Sequence, residues 1–192
     1  MVTTKTIGVL ALQGDFLEHQ QILTHLGAIV KEVRLPEDLE NIDGIIFPGG
    51  ESTTMANLLD VFSLRKPLIE KIKRGLPVWG TCAGMILLAK KLVQNRPQPL
   101  GLMDIVVDRN AFGRQIDSFT IPLEIKQMGD KPLHATFIRA PLIKTIGDNV
   151  TILAKLSDGT IVAAQQENML VTAFHPELTH DTRLHKYFLS MI

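Results

Sequence analysis

One cysteine in 192 residues is too few for a disulfide framework, so this chain must be held together by core burial, as fits a reducing cytosol. Net charge is missing too. The 20 Lys+Arg balance the 20 Asp+Glu, which leaves no basic field to draw in nucleic acid or an anionic membrane. No apolar run approaches the ~18 residues needed to cross a bilayer, and Met1 to Lys5 leads into a strand without a signal-peptide pattern. The expectation is a cytoplasmic protein with neither nucleic acid nor membrane as partner. No G-x-G-x-x-G follows the first strand and no Walker loop is present, so nucleotide binding has no support. His19, His25, His134, His180 and His185 form no H-E-x-x-H, and no second cysteine offers a thiolate, so neither metal nor cofactor is expected. His180 and His185 read as solvated residues flanking the last helix. Without repeats, low-complexity tracts or a linker, residues 1–192 read as one domain.

What is present is alternation. Thr6 to Leu12, Ile29 to Val33, Gly44 to Phe47 and Val78 to Gly80 are short apolar runs, as expected of strands buried on both faces. Between them, Phe16 to Leu26, Thr53 to Leu59 and Leu64 to Arg74 read as helices, with Gly27 able to end the first. Strands joined by helical crossovers predict an α/β fold with a doubly wound, mostly parallel sheet. The second half changes character. Ile105 to Asp108, Ser118 to Ile121, Leu133 to Ile138, Val150 to Leu156, Ile161 to Gln165 and Met169 to Phe174 are strand-like, with turns at Gly129-Asp130 and Asp158-Gly159. They are expected to extend the sheet with antiparallel strands. Gln94 to Pro99 reads as a mobile surface loop, and Arg183 to Met191 as a closing helix.

The lone cysteine lies in Val78-Trp79-Gly80-Thr81-Cys82-Ala83-Gly84-Met85, an apolar strand, a Gly-x-Cys-x-Gly turn and the start of a helix. Such an elbow presents a nucleophile, with flanking glycines expected to let the chain turn sharply and helix N-terminal amides to favour the thiolate. A lone cysteine also fits a small buried hydrophobe, so its partners must decide. The third strand runs into Phe47-Pro48-Gly49-Gly50-Glu51-Ser52-Thr53, which reads either as a Pro-Gly turn with Ser52 or Thr53 as helix cap, or as an oxyanion loop. Beside an elbow cysteine the second reading is the better one: amides of Gly49-Gly50 and of Ala83 would face a substrate oxygen. Near the end, Phe174-His175-Pro176-Glu177 can place an imidazole and a carboxylate on one side, because proline keeps His175 extended. Cys82, His175 and Glu177 would then be nucleophile, base and orienting acid.

These motifs resemble the triad (class I) glutamine amidotransferases. Leu12-Gln-Gly-Asp-Phe-Leu-Glu-His19, Pro48-Gly-Gly-Glu-Ser-Thr53, Arg109-Asn-Ala-Phe-Gly-Arg-Gln-Ile-Asp-Ser-Phe119 and Phe137-Ile-Arg-Ala-Pro141 narrow the resemblance to the glutaminase subunits of pyridoxal 5′-phosphate synthase. The resemblance implies a three-layer, flavodoxin-like fold. It also implies hydrolysis of L-glutamine to glutamate and ammonia, and delivery of the ammonia to a (β/α)8-barrel synthase subunit in a large hetero-oligomer. Gly50, Glu51, Ser52, Arg109, Ile138 and Arg139 are implied to contact the glutamine, and the oxyanion loop to align only when the synthase docks. An arginine suits the substrate carboxylate and Glu51 its ammonium. Two other readings stay open: a glutaminase serving another synthase, such as imidazole glycerol phosphate synthase, and a catalytically silent scaffold on the same fold.

Overall fold

A computed structural model of the chain describes residues 4–110 and 118–192. The first half alternates as expected: β1 (Thr6–Leu10), α1 (Phe16–His25), β2 (Ile29–Val33), β3 (Gly44–Phe47), α2 (Ser52–Val61), α3 (Arg65–Lys73), β4 (Val78–Thr81) and α4 (Ala83–Leu88). Then come β5 (Ala89–Leu92), β6 (Met103–Asp108), β7 (Ser118–Leu123), β8 (Leu133–Ile138), β9 (Leu142–Ile146), β10 (Thr151–Lys155), β11 (Ile161–Gln166), β12 (Met169–Thr172) and α5 (Arg183–Ser190). Every residue of β3 and β4 is buried, which is why these runs carry no polar alternation.

The main sheet has the order β2-β1-β3-β4-β12-β11-β9-β6-β5, with β10 beside β11. From β2 across to β12 every pairing is parallel, and from β12 across to β6 every pairing is antiparallel. The doubly wound sheet with an antiparallel extension is therefore what forms. Its first strands follow the flavodoxin-like order, with β12 taking the fifth place.

Several boundaries and pairings differ from the sequence reading. β7 and β8 do not extend the main sheet but pair with each other as a separate two-stranded sheet. β12 is antiparallel only to β11; on its other edge it lies parallel to β4, with Thr172 opposite Thr81. β5 and β9 were not anticipated, because β5 follows α4 without a breaker and its Ala-Lys-Lys-Leu shows no strand alternation. β1 stops at Leu10 instead of Leu12, since the chain turns there to reach the loop after β3, where the Asp15 amide donates to the Gly49 carbonyl at 3.0 Å. The 94–99 stretch is tied down rather than loose: the Gln94 amide bridges Asp108 and the Arg109 backbone, and the Arg96 and Gln98 carbonyls accept from Arg109 and Arg65.

Alternation along β4 decides where chemistry can sit. Trp79 and Thr81 face α1 and α5, where Trp79 packs edge-on against His19 and His185. Gly80 faces the other way, onto α4. No helix among the described residues is long and apolar enough to cross a membrane.

Candidate active site

Cys82 leaves the carboxyl end of β4 with its amide bonded to the Thr172 carbonyl at 2.8 Å. Its backbone sits at φ 46°, ψ −101°, a costly conformation for a residue with a side chain. The turn is thus made by the cysteine itself. The flanking glycines, expected to supply the turn, serve close approach instead. A Cβ on Gly80 would lie 2.5 Å from the Gly84 carbonyl carbon, and one on Gly84 would lie 2.1 Å from the Phe47 oxygen. Both are excluded, so α4 can start hard against β3 and β4. Ala83 opens that helix, and first-turn amides have no partner within a helix.

His175 and Glu177 arrive from the end of β12. Pro176 to Leu178 form a 3-10 turn with proline in its first position, and His175 precedes it at φ −110°, ψ 84°, outside the helical region as expected before proline. The turn brings the two side chains together: His175 Nδ1 lies 2.7 Å from Glu177 Oε1. Asp15, from the loop after β1, brings a second carboxylate oxygen 3.3 Å from the same nitrogen. Nδ1 therefore carries a proton facing two carboxylates.

Burial by itself would lower the His175 pKa. Asp15, Cys82 and Glu177 outweigh it and push it up to about 12. Burial pushes the Glu177 carboxyl up, against the pull of its His175 bond. His175 is thus an imidazolium held between two carboxylates and facing the Cys82 side chain.

The loop after β3 closes the site. Gly49 lies against His175, its carbonyl accepts from Asp15, and the Glu51 amide donates to Gln13 Oε1 at 2.7 Å. The helix cap is neither Ser52 nor Thr53 but Glu51. Its carboxylate accepts from the Thr53 and Thr54 amides and the Thr54 hydroxyl. Burial would raise the Glu51 pKa, yet the Thr54 and Thr53 bonds take it down to about 2. Arg109 completes this corner, donating to Glu51 Oε1 at 3.3 Å, to Thr53 Oγ1 and to the Arg96 carbonyl. A substrate ammonium at Glu51 would thus meet a carboxylate already bonded on both oxygens.

A cleft of about 440 Å³ opens onto these groups. Cys82, His175, Gly50, Glu51, Ser52, Arg109, Ile138 and Arg139 all line it, so the predicted contacts come from five separate segments to one cavity. Gly49, Ala83 and Glu177 are buried and are not among the residues that line it. Arg139 carries φ 41°, a second strained backbone at the rim. The part of the Arg109–Phe119 motif at 111–117 lies outside the described residues. Sequence reasoning assigned no role to Gln13, Asp15 or His19, although all three stand in the Leu12–His19 motif. His185 contradicts its reading as a solvated residue: it is fully buried, because α5 turns it inward onto Trp79 and His19. Among the described residues, Asp15, His175 and Glu177 are the group close enough to hold a metal ion. Both carboxylates converge on one protonated nitrogen, which suits a shared proton better than a cation.

Sheet order and strand-to-helix elbow together place the chain in the class I glutamine amidotransferase fold. A solved structure titled as a glutamine amidotransferase superposes with a TM-score of 0.90 at 46% identity, covering 96% of this chain and 97% of the other. The chain belongs to the SNO glutamine amidotransferase family, whose match spans residues 9–192. It is 56% identical to the pyridoxal 5′-phosphate synthase subunit PdxT of Carboxydothermus hydrogenoformans, over 97% of each chain. Similarity to the PdxT of Desulforamulus reducens is also 56%, over 97% of this chain and 98% of that one. At 15% identity, PurLQS from Thermotoga maritima shares the fold, with a TM-score of 0.70.

Proposed function

We propose that this chain is the glutaminase subunit of a pyridoxal 5′-phosphate synthase: it hydrolyses L-glutamine to L-glutamate and ammonia and hands the ammonia to a synthase subunit. The observation that carries the chemistry is the His175 imidazolium, gripped at Nδ1 by Glu177 and Asp15 while its ring faces Cys82. In this reading the Cys82 thiolate attacks the side-chain amide carbon. Its electron pair moves onto oxygen, which the Gly49-Gly50 and Ala83 amides receive. His175 protonates the departing nitrogen, the C–N bond breaks, and a γ-glutamyl thioester and ammonia result. A water, deprotonated by His175, then attacks the thioester and releases glutamate and the thiolate.

Gly50, Ser52, Ile138 and Arg139 shape the cleft for the amino acid, and Arg109 with Glu51 forms its charged end. The similarity to PdxT chains supports the synthase as partner; a (β/α)8 barrel in a large hetero-oligomer is the proposed form of it. A cytoplasmic setting is part of this proposal, supported by the single cysteine, which fits a reducing compartment. Docking of the synthase is proposed to align the Gly49-Gly50 peptide, which Asp15 and Gln13 hold in the free chain. The test is ammonia release from glutamine with and without the synthase subunit. Cys82→Ala should abolish release, and turnover near the unmodified rate would refute the assignment. Pyridoxal phosphate formation, followed by absorbance, separates this synthase from others.

A further inference from the structure

Behind the site lies a buried pair of histidines that the mechanism above does not use. His19 on α1 and His185 on α5 are both fully buried, with His19 Nδ1 3.0 Å from His185 Nε2. On its other side, His19 Nε2 lies 3.3 Å from Thr81 Oγ1 and 3.5 Å from Glu177 Oε2. That carboxylate oxygen is buried and has no hydrogen-bond partner within bonding distance among the described residues, and neither has His185 Nδ1. Trp79 packs edge-on over both rings and keeps water out.

The tautomers follow from what each alternative would leave unpaired. A proton on His19 Nδ1 would point at His185 Nε2, which forces the His185 proton onto Nδ1, where the described residues offer no acceptor. It would also turn the lone pair of His19 Nε2 toward Glu177. A proton on His19 Nε2 removes both penalties. His185 Nε2–H then donates to His19 Nδ1, and His19 Nε2–H is shared by Thr81 Oγ1 and Glu177 Oε2. His185 Nδ1 keeps only a lone pair, the cheaper group to leave unpaired. Burial, then His185 and His175, hold His19 neutral, and burial holds His185 neutral.

We infer that His19, backed by His185, is a positioning residue that supplies the second donor to Glu177, so that the reactive Cys82–His175 pair is the end of a buried line His185–His19–Glu177–His175. The 3.5 Å contact shortens when His175 gives up its proton and leaves the Glu177 carboxylate without the imidazolium charge. The inference rests on the glutaminase reading only for its catalytic readout. The titratable groups around His19 are His185 on α5, Glu177 and His175 on the closing turn, Asp15 beside His175, and Cys82 across the imidazole.

A glutamine side chain at 19 places its amide nitrogen where Nε2 stands, while asparagine reaches only the Nδ1 position. In the complex with the synthase, His19→Gln should keep kcat within about threefold, whereas His19→Asn and His19→Leu should lower kcat about tenfold to a hundredfold at unchanged KM. In the isolated chain, iodoacetamide alkylation of Cys82 should show the ion-pair plateau ending about one pH unit higher in Asn than in Gln. Should His19→Leu not fold, the Gln and Asn variants decide. Equal kcat and equal alkylation profiles for Asn and the unmodified chain would overturn the inference. So would ¹⁵N NMR showing the His19 proton on Nδ1. The alkylation and NMR readouts need no glutamine. A chain that keeps them but releases no ammonia leaves the line standing and removes the glutaminase reading.

Discussion

Gly49 leaves no room for a side chain beside His175: a Cβ there would lie 2.3 Å from the ring Cε1 and 2.8 Å from Nδ1. Oxyanion loop and imidazole are therefore placed against each other, and one cannot shift without the other. Gly49→Ala must push the ring or the loop by an ångström or so. A misplacement of that size costs about a hundredfold in rate. The expected outcome is a kcat lower by about that factor with little change in thermal midpoint, read from steady-state ammonia release and a melting curve. A kcat within about threefold of the unmodified chain would show that the loop does not set the ring.

Gly84 makes the equivalent contact with backbone, so it offers no flexible atom to give way. With a Cβ 2.1 Å from the Phe47 oxygen, Gly84→Ala must separate α4 from β3. The expected loss is about 3 kcal/mol, the upper end of the overpacking range, measured by urea unfolding. Gly159→Ala is the contrast: no described residue other than its chain neighbours lies within 4 Å of the added Cβ, and only its φ of 87° opposes a side chain. That conformational cost is about 1–2 kcal/mol.

Acid should destabilise this protein through its two buried neutral histidines. His185 falls to about 3 on folding, and His19 also falls well below 6.5, burial being the largest cause for both. The folded state therefore refuses two protons that the unfolded chain accepts. Their contribution is complete above the unfolded pKa of about 6.5 and is lost as pH falls toward the folded values. Stability should drop by up to about 2.7 kcal/mol per pH unit between roughly pH 6 and 4.5. His175 does not offset this, since its folded pKa is raised and it is protonated in both states there. Glu177, pushed up by burial, takes up a proton more readily when folded and offsets part of the loss. Urea midpoints from pH 7 to 4.5 test the slope, and His185→Phe should flatten it by about half.

Glu51 holds α2 and Arg109 at once. Glu51→Ala removes the cap, at a cost of about 1 kcal/mol, and frees the guanidinium. The expected signature is a raised KM for glutamine with a smaller change in kcat. An unchanged KM would show that this corner does not meet the amino acid.

Much of the fold was legible because the runs that form it are short, apolar and punctuated. β2, β3 and β8 begin and end where the residue pattern places them. The elbow, the Gly-Gly loop and His175-Pro-Glu177 were legible as local motifs, since each is specified within a few residues. Their surroundings were not. Nothing in Arg-Leu-His-Lys says that α5 turns His185 inward, and nothing local tells Asp15 apart from any other turn aspartate. The pairing of β7 with β8 was hidden for the same reason: their alternation suits any antiparallel partner.

By itself, then, the sequence determined that Cys82 would stand on an elbow with a histidine and a glutamate two residues apart elsewhere in the chain. Only the tertiary structure decided what that elbow rests on and what the pair touches. The strain of the turn fell on the cysteine, because Gly80 and Gly84 are needed for backbone contacts that form only once β3, β4 and α4 pack. Glu177 acquired a second histidine and His175 a second carboxylate, through contacts spanning 158 and 160 positions. Such contacts depend on sheet order, and sheet order is set by the burial of whole strands and helices, not by any single motif.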